Sequence, residues 1–189
     1  KEIVLDFDSS DIELHGHQQN RFFHGYYDHY CYLPLYIYCG EHLLCAWLRP
    51  ANIDNAKGSL IALKLLVSAI RKRRPGTRIV IRADSGFCRD WLLNWCENHD
   101  VGFIVGLAKN ARLEALSRDL LAQAQAEHEA TGLKGRVIGE FEYETRDSWS
   151  RPRRVVARIE HMREGPNPRY VVTNLRGDAA WLYERVYCA

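Results

Sequence analysis

The sequence predicts an α/β fold built on a mixed sheet, and three observations carry that reading. Apolar, β-rich runs come first, at Ile3–Asp8, Tyr32–Cys39 and His42–Leu48. A strand–helix–strand series follows and closes at Leu107, and three more strand-like runs precede a final helical segment.

Taken in order, Ile3–Asp8 reads as a strand, and a polar, aromatic loop with Gly16, Gly25 and several histidines runs from His15 to about Cys31. Tyr32–Cys39 and His42–Leu48 are joined by Gly40-Glu41, a short hairpin turn, so three adjacent antiparallel strands are expected. Ala56–Arg73 carries Leu60, Leu63, Leu66, Val67 and Ile70 at helical spacing and stops at Pro75-Gly76, which predicts a crossover helix. Thr77–Ala83 is a strand ending at Asp84-Ser85-Gly86, Cys88–Asn98 is an amphipathic helix, and Gly102–Leu107 is the next strand. That βαβ unit implies parallel pairing. A polar helix is predicted from Ala111 to about Ala130, then strands at Arg136–Thr145, Arg153–His161 and Tyr170–Leu175, and a helix through Trp181–Tyr187. This order is that of a ribonuclease H-like mixed sheet.

Composition bounds the function. The 189 residues are 47% hydrophobic and 26% charged, which excludes collagen, low-complexity disorder and a small disulfide scaffold. Lysine plus arginine number 26 against 24 acidic residues, a net +2, so any nucleic-acid contact must come from local basic patches. The six cysteines, at 31, 39, 45, 88, 96 and 188, form no Cys-x-x-Cys pair and read as free, mostly buried thiols. No apolar run approaches the ~18–20 residues that span a bilayer, and no charged-then-apolar leader follows Lys1. A cytosolic protein without membrane contact is expected.

Two carboxylates stand out. Asp8 closes the first strand and Asp84 lies where Ile79-Val-Ile-Arg-Ala-Asp84 gives way to a turn. Ligands of open α/β sheets bind at such strand ends, and if the two strands are neighbours the pair forms an oxygen cluster suited to a hard dication such as magnesium. The alternative is that each merely starts a turn, as Asp-Ser-Gly commonly does. Asp6, on the same strand face as Asp8, and Asp11 compete for the first position; Asp8 is preferred because it is nearer the strand end. His15, His17, His24 and His29 match no standard zinc spacing and read as a surface loop. Arg71-Lys-Arg-Arg74 closes a helix, where cations oppose the helix dipole. Trp149 beside Arg151, Arg153 and Arg154 has the composition of a base-stacking, phosphate-holding patch and equally that of a hairpin tip.

Along its whole length the chain resembles the DDE-type transposases of bacterial insertion sequences, the group whose third catalytic residue sits in a Tyr-Arg-Glu-Lys signature helix. The resemblance runs through Leu5-Asp-Phe-Asp-Ser-Ser-Asp11, His15-Gly-His-Gln-Gln19, Tyr32-Leu-Pro-Leu35, Leu48-Arg-Pro50, Ile81-Arg-Ala-Asp-Ser-Gly-Phe87 and Tyr170-Val-Val-Thr-Asn-Leu175. It implies that Asp8 and Asp84 are the first two members of a catalytic triad holding two Mg2+ (or Mn2+) ions. The implied reaction is phosphodiester cleavage and strand transfer at insertion-sequence ends. The implied partners are the element's end DNA and target DNA, with a homodimer of the full protein on DNA and a cytoplasmic, nucleoid-associated location.

The same resemblance divides the chain into a first part of the catalytic core (1–110), a β-rich insertion (111–175) and the start of the signature helix (176–189). Tyr187-Cys188-Ala189 fits the opening of the signature, with Tyr187 on the face that contacts DNA phosphate, and the glutamate is expected beyond residue 189. Both ends read as cut within elements, so the fragment is expected to be inactive by itself. Trp149, Arg151, Arg153 and Arg154 are candidate contacts to transposon-end DNA. Two other functions stay open: a non-catalytic DNA-binding or dimerisation fragment, and a ribonuclease H-like nuclease that hydrolyses without joining.

Overall fold

A computed structural model describes all residues 1–189, which fall into two compact units, Lys1–Gly102 and Phe103–Ala189. The elements of the first are β1 (Glu2–Ser9), β2 (Ile12–Glu13), β3 (Phe22–His24), β4 (His29–Tyr32), β5 (Leu35–Cys39), β6 (His42–Trp47), helix α1 (Ser59–Arg73), β7 (Arg78–Ala83) and helix α2 (Asp90–Asn98). The second contains β8 (Val101–Leu107, which begins at the boundary), α3 (Ala111–Leu116), α4 (Arg118–Thr131), β9 (Gly135–Tyr143), β10 (Arg153–Met162), β11 (Gly165–Thr173) and α5 (Ala179–Trp181), which runs on as a π-helical turn, Leu182–Tyr187.

In the first unit the strand order is β6-β5-β1-β7. β5 pairs antiparallel with both β6 and β1, as expected, while β1 and β7 are parallel and in register from Glu2↔Arg78 to Phe7↔Ala83. Alternation on these two strands sends Leu5, Phe7, Ile79, Ile81 and Ala83 into the core. Fully burying each large apolar side chain stabilises the fold by ~1.5–3 kcal/mol. The crossover helix α1 buries Ala62, Leu63 and Val67, and Arg71 in its last turn donates to the carbonyls of His99 (2.7 Å) and Asp100 (3.0 Å). Part of the basic cluster at 71–74 therefore ties the chain together.

The segment expected to be a loop from His15 to Cys31 instead contains β3 and β4, which join β2 in a three-stranded sheet ordered β2-β4-β3. Strands of two to four residues are too short for alternation to reveal them. Asp11 and His29 hold this small sheet together at 2.6 Å, and Cys31, Leu33 and Ala51 form a buried cluster against which Tyr27 packs.

In the second unit the order is β8-β11-β10-β9, antiparallel throughout. The single polar helix expected over 111–130 is broken at Ser117, which is fully buried and bonds the Leu113 carbonyl (2.9 Å) and the Tyr170 hydroxyl (2.8 Å). Helix α4 lies directly on β9. A Cβ at Gly135 would stand 2.0 Å from the Ala124 carbonyl, so this close approach requires glycine.

Glu160 on β10, its side chain 8% exposed, is surrounded by Lys134 (3.0 Å), Arg158 (3.1 Å) and Arg136 (3.9 Å). Burial alone would raise its carboxyl, but Lys134, Arg158 and Arg136 outweigh burial and hold it below the usual carboxylate range. A carboxylate depressed in the folded state stabilises above its unfolded pKa and loses that contribution as pH falls through the lower folded value. Glu160→Gln is therefore expected to cost stability at neutral pH, and the urea midpoints of the two proteins should converge as pH is lowered below about 4. A gap that stays constant down to pH 3 would show that the cluster's charge contributes nothing.

Candidate functional site

The site grows out of the parallel pairing of β1 and β7. Asp6 faces Arg82 in register, on the strand faces opposite the buried Leu5, Phe7, Ile81 and Ala83. Two residues further along the chain from each of these, Asp8 lies near the end of β1 and Asp84 directly follows β7. The paired register ends at Phe7↔Ala83, one residue before each aspartate, and Asp84 keeps an extended backbone (φ −76°, ψ −178°). Two carboxylates thus follow directly on the last paired residues of adjacent strands, whose axes lie ~4.8 Å apart. Below them Phe7 and Phe87 meet edge to face at 5.9 Å, fastening the end of β1 to the turn that follows Asp84.

The three aspartates near the first strand differ in what they hold. Asp6 takes a bidentate grip on Arg82, by Nε and by Nη2, the latter at 3.0 Å. Asp11 is bound to His29. Asp8 forms no ion pair and accepts only from the Ser9 amide, at 2.8 Å on Oδ1. Asp84 likewise accepts only from the Gly86 amide, at 2.8 Å on Oδ1. Both are exposed, and Oδ2 of each accepts nothing. Two exposed carboxylates side by side, each with an oxygen to spare and no cation, are a donor set that suits a hard divalent ion. No group of three acidic, histidine or cysteine side chains is arranged to hold a metal anywhere in the chain.

Side chains not singled out from the sequence complete the surroundings. Burial, then the charges of Asp11, the neighbouring Tyr26, Asp8 and Asp84, push the Tyr27 phenol above its ordinary value. Tyr27 is stacked on His29 (6.0 Å between centroids) and packed against His24 (4.9 Å). The Asn55 amide borders the Asp84 turn: a Cβ at Gly86 would lie 2.9 Å from its Nδ2 and 3.0 Å from Asp84 Oδ1. The histidine- and tyrosine-rich composition of residues 15–31 was the only trace of Tyr27 in the sequence.

With this geometry the chain matches, over residues 1–189, the family model described as transposase DDE domain group 1. The chain belongs to the transposase DDE domain family. Among solved structures it resembles the piggyBac transposase seen by cryo-electron microscopy in a synaptic complex with hairpin DNA, with a TM-score of 0.51 and 11% identity. That likeness covers 93% of this chain and 34% of the piggyBac chain, and at this identity it is a likeness of fold. No curated protein matches the chain. The ribonuclease H-like mixed α/β class expected from the sequence is thereby the fold of this DDE domain, and divalent ions are the cofactors DDE transposases generally use. No helix is long and apolar enough to cross a membrane.

In the second unit the expected basic patch is partly redirected. Arg153 is 4% exposed, with its guanidinium 5.1 Å from the Trp149 ring. Arg154 pairs with Glu140 and donates to the carbonyls of Leu175 (2.9 Å) and Gly177 (2.8 Å). Of the arginines expected to contact DNA, Arg153 is thus buried and Arg154 is engaged by partners within the chain. Trp149 is half-buried with Tyr143 edge-on at 5.5 Å, while Arg151 is exposed. Tyr187, half-buried at the end of the π-helical turn, lies 5.6 Å from Tyr183.

The contrast between the aspartates yields a stability prediction. Asp6→Asn removes the charge that Arg82 grips and is expected to cost about 1–3 kcal/mol. Asp8→Asn removes like-charge repulsion with Asp84 and should leave stability within about 0.5 kcal/mol of the parent or raise it. Urea denaturation distinguishes them; equal losses would mean that Asp8 has a structural partner after all.

Proposed function

We propose that this domain is part of the catalytic core of a DNA transposase, with Asp8 and Asp84 as the first two carboxylates of its metal site. The observation that carries the reading is their placement directly after the last in-register pair of neighbouring parallel strands, without ion-pair partners, while Asp6 and Asp11 are both engaged. Membership of the DDE domain family supports it. Asp8 and Asp84 would hold Mg2+ or Mn2+, two ions in the complete site. When bound, these ions supply the charge that activates an oxygen nucleophile, water or a DNA 3′-hydroxyl, and neutralises the leaving oxygen of an in-line displacement at phosphorus. The carboxylates' own work is to bind and orient.

By this reading the third carboxylate comes from outside residues 1–189, and the isolated chain binds cations but neither cleaves nor joins DNA. The division into core (1–110), insertion (111–175) and start of the signature helix (176–189) belongs to the same proposal. So do insertion-sequence ends and target DNA as substrates, a homodimer on DNA, and a bacterial cytoplasmic location at the nucleoid. Tyr187, Trp149 and Arg151 remain the DNA contacts we assign.

Titration calorimetry with MnCl2 tests the site. The chain should take up Mn2+, and Asp8→Asn or Asp84→Asn should abolish uptake while Asp11→Asn should not. Undiminished binding in both of the first two variants would remove the pair from any metal site. For DNA, log affinity for duplex should fall linearly with log salt, and Arg151→Ala should reduce the slope by about one unit. An unchanged slope would return Arg151 to ordinary solvated surface.

A further inference from the structure

We propose that Arg49 is the positioning residue of the carboxylate pair: one buried guanidinium fixes the end of β1 and the 55–57 segment that borders the Asp84 turn, and so sets the spacing of Asp8 and Asp84. The inference rests on the reading of that pair as a cation site.

Arg49 is 4% exposed and all of its polar contacts are neutral oxygens. Nε donates to the Leu33 carbonyl (2.8 Å), Nη1 to the carbonyls of Asn55 (2.9 Å) and Lys57 (2.7 Å), and Nη2 to Ser9 Oγ (2.6 Å) and, at the outer limit, to the Pro34 carbonyl (3.5 Å). Burying a cation without a carboxylate partner is costly, and burial pushes the Arg49 guanidinium below its usual value. An apolar side chain would fill this position at less cost. What the guanidinium adds is geometry, since its planar fork reaches several acceptors in fixed directions.

Those directions lead to both aspartates. On one side Arg49 holds the Ser9 hydroxyl, and the Ser9 amide in turn donates to Asp8 Oδ1 at 2.8 Å. On the other side it holds the backbone of residues 55 and 57, and the Asn55 side chain borders the Asp84–Gly86 turn. The same segment is fastened again by Asp54, which caps the Ala56 amide (2.9 Å) and pairs with Arg89 at the start of α2 (3.1 Å from Nε). A shift of Arg49 therefore moves the end of β1 and the wall of the Asp84 turn together.

The test compares the parent chain with Arg49→Lys, which keeps the charge and loses the fork, and Ser9→Ala, which cuts only the Asp8 branch. Mn2+ affinity by calorimetry should weaken by about 10–100-fold in Arg49→Lys and by about tenfold in Ser9→Ala, with far-ultraviolet dichroism and cooperative unfolding retained. In metal-free protein labelled with 13C-aspartate, the Asp8 and Asp84 carboxyl resonances should both move in Arg49→Lys, only that of Asp8 should move in Ser9→Ala, and that of Asp11 should stay in each. Mn2+ affinity within twofold of the parent in the folded variants overturns the proposal. If the parent takes up no Mn2+, the cation reading fails by itself and the resonances decide: movement of Asp8 and Asp84 together keeps Arg49 as the positioning residue, and unmoved resonances overturn it. If Arg49→Lys does not fold, Ser9→Ala decides.

Discussion

Everything at the candidate site depends on the in-register, parallel pairing of β1 with β7. Parallel neighbours carry residues of equal register on the same face, so one alignment of backbone hydrogen bonds simultaneously buries the Leu5 and Ile81 rows, joins Asp6 to Arg82, and sets Asp8 and Asp84 one residue past its last pair. A slip of one residue would send every one of these side chains to the opposite face. The Asp6–Arg82 pair therefore acts as a register lock. It is attractive only in the alignment that makes the next pair on the same face repulsive.

That division of labour along two strands explains why one carboxylate is structural and its neighbour two residues away is not. Asp6 lies within the sheet, where a guanidinium opposite it is held by both strands. Asp8 and Asp84 lie where the strands end, solvent reaches them, and only backbone amides of the following turns orient them. The fold supplies the stability of the site from beneath, through the Phe7–Phe87 contact, and leaves its charge uncompensated above.

Much of this was legible in the sequence, because it is written in alternation and in turn chemistry. The β1, β5, β6 and β7 runs, the crossover helix and the Asp-Ser-Gly turn all lie where periodicity and glycine place them. Nearness to the strand end favoured Asp8 over Asp6 and Asp11, but spacing did not show which cation each meets, since Arg82 and His29 are 76 and 18 residues away. The same holds for Arg153 and Arg154, whose position beside an aromatic suggested a surface patch. Their burial and pairing follow from a β9–β10 ladder that puts Arg154 opposite Glu142, one pleat from Glu140. Arg49 lay in a short motif, Leu48-Arg-Pro50, with nothing local to say that its donors would be shared among three segments of chain.

The turn after Asp84 carries a further consequence. Gly86 has no room for a methyl group between Asn55 and the Asp84 carboxylate, so any side chain at position 86 must push one of them aside. The arrangement around the Asp84 carboxylate accordingly depends on a residue that carries no charge. An alanine at position 86 leaves net charge, carboxylate count and hydrophobic core untouched, yet the Asn55 amide or the Asp84 carboxylate must give way to admit it.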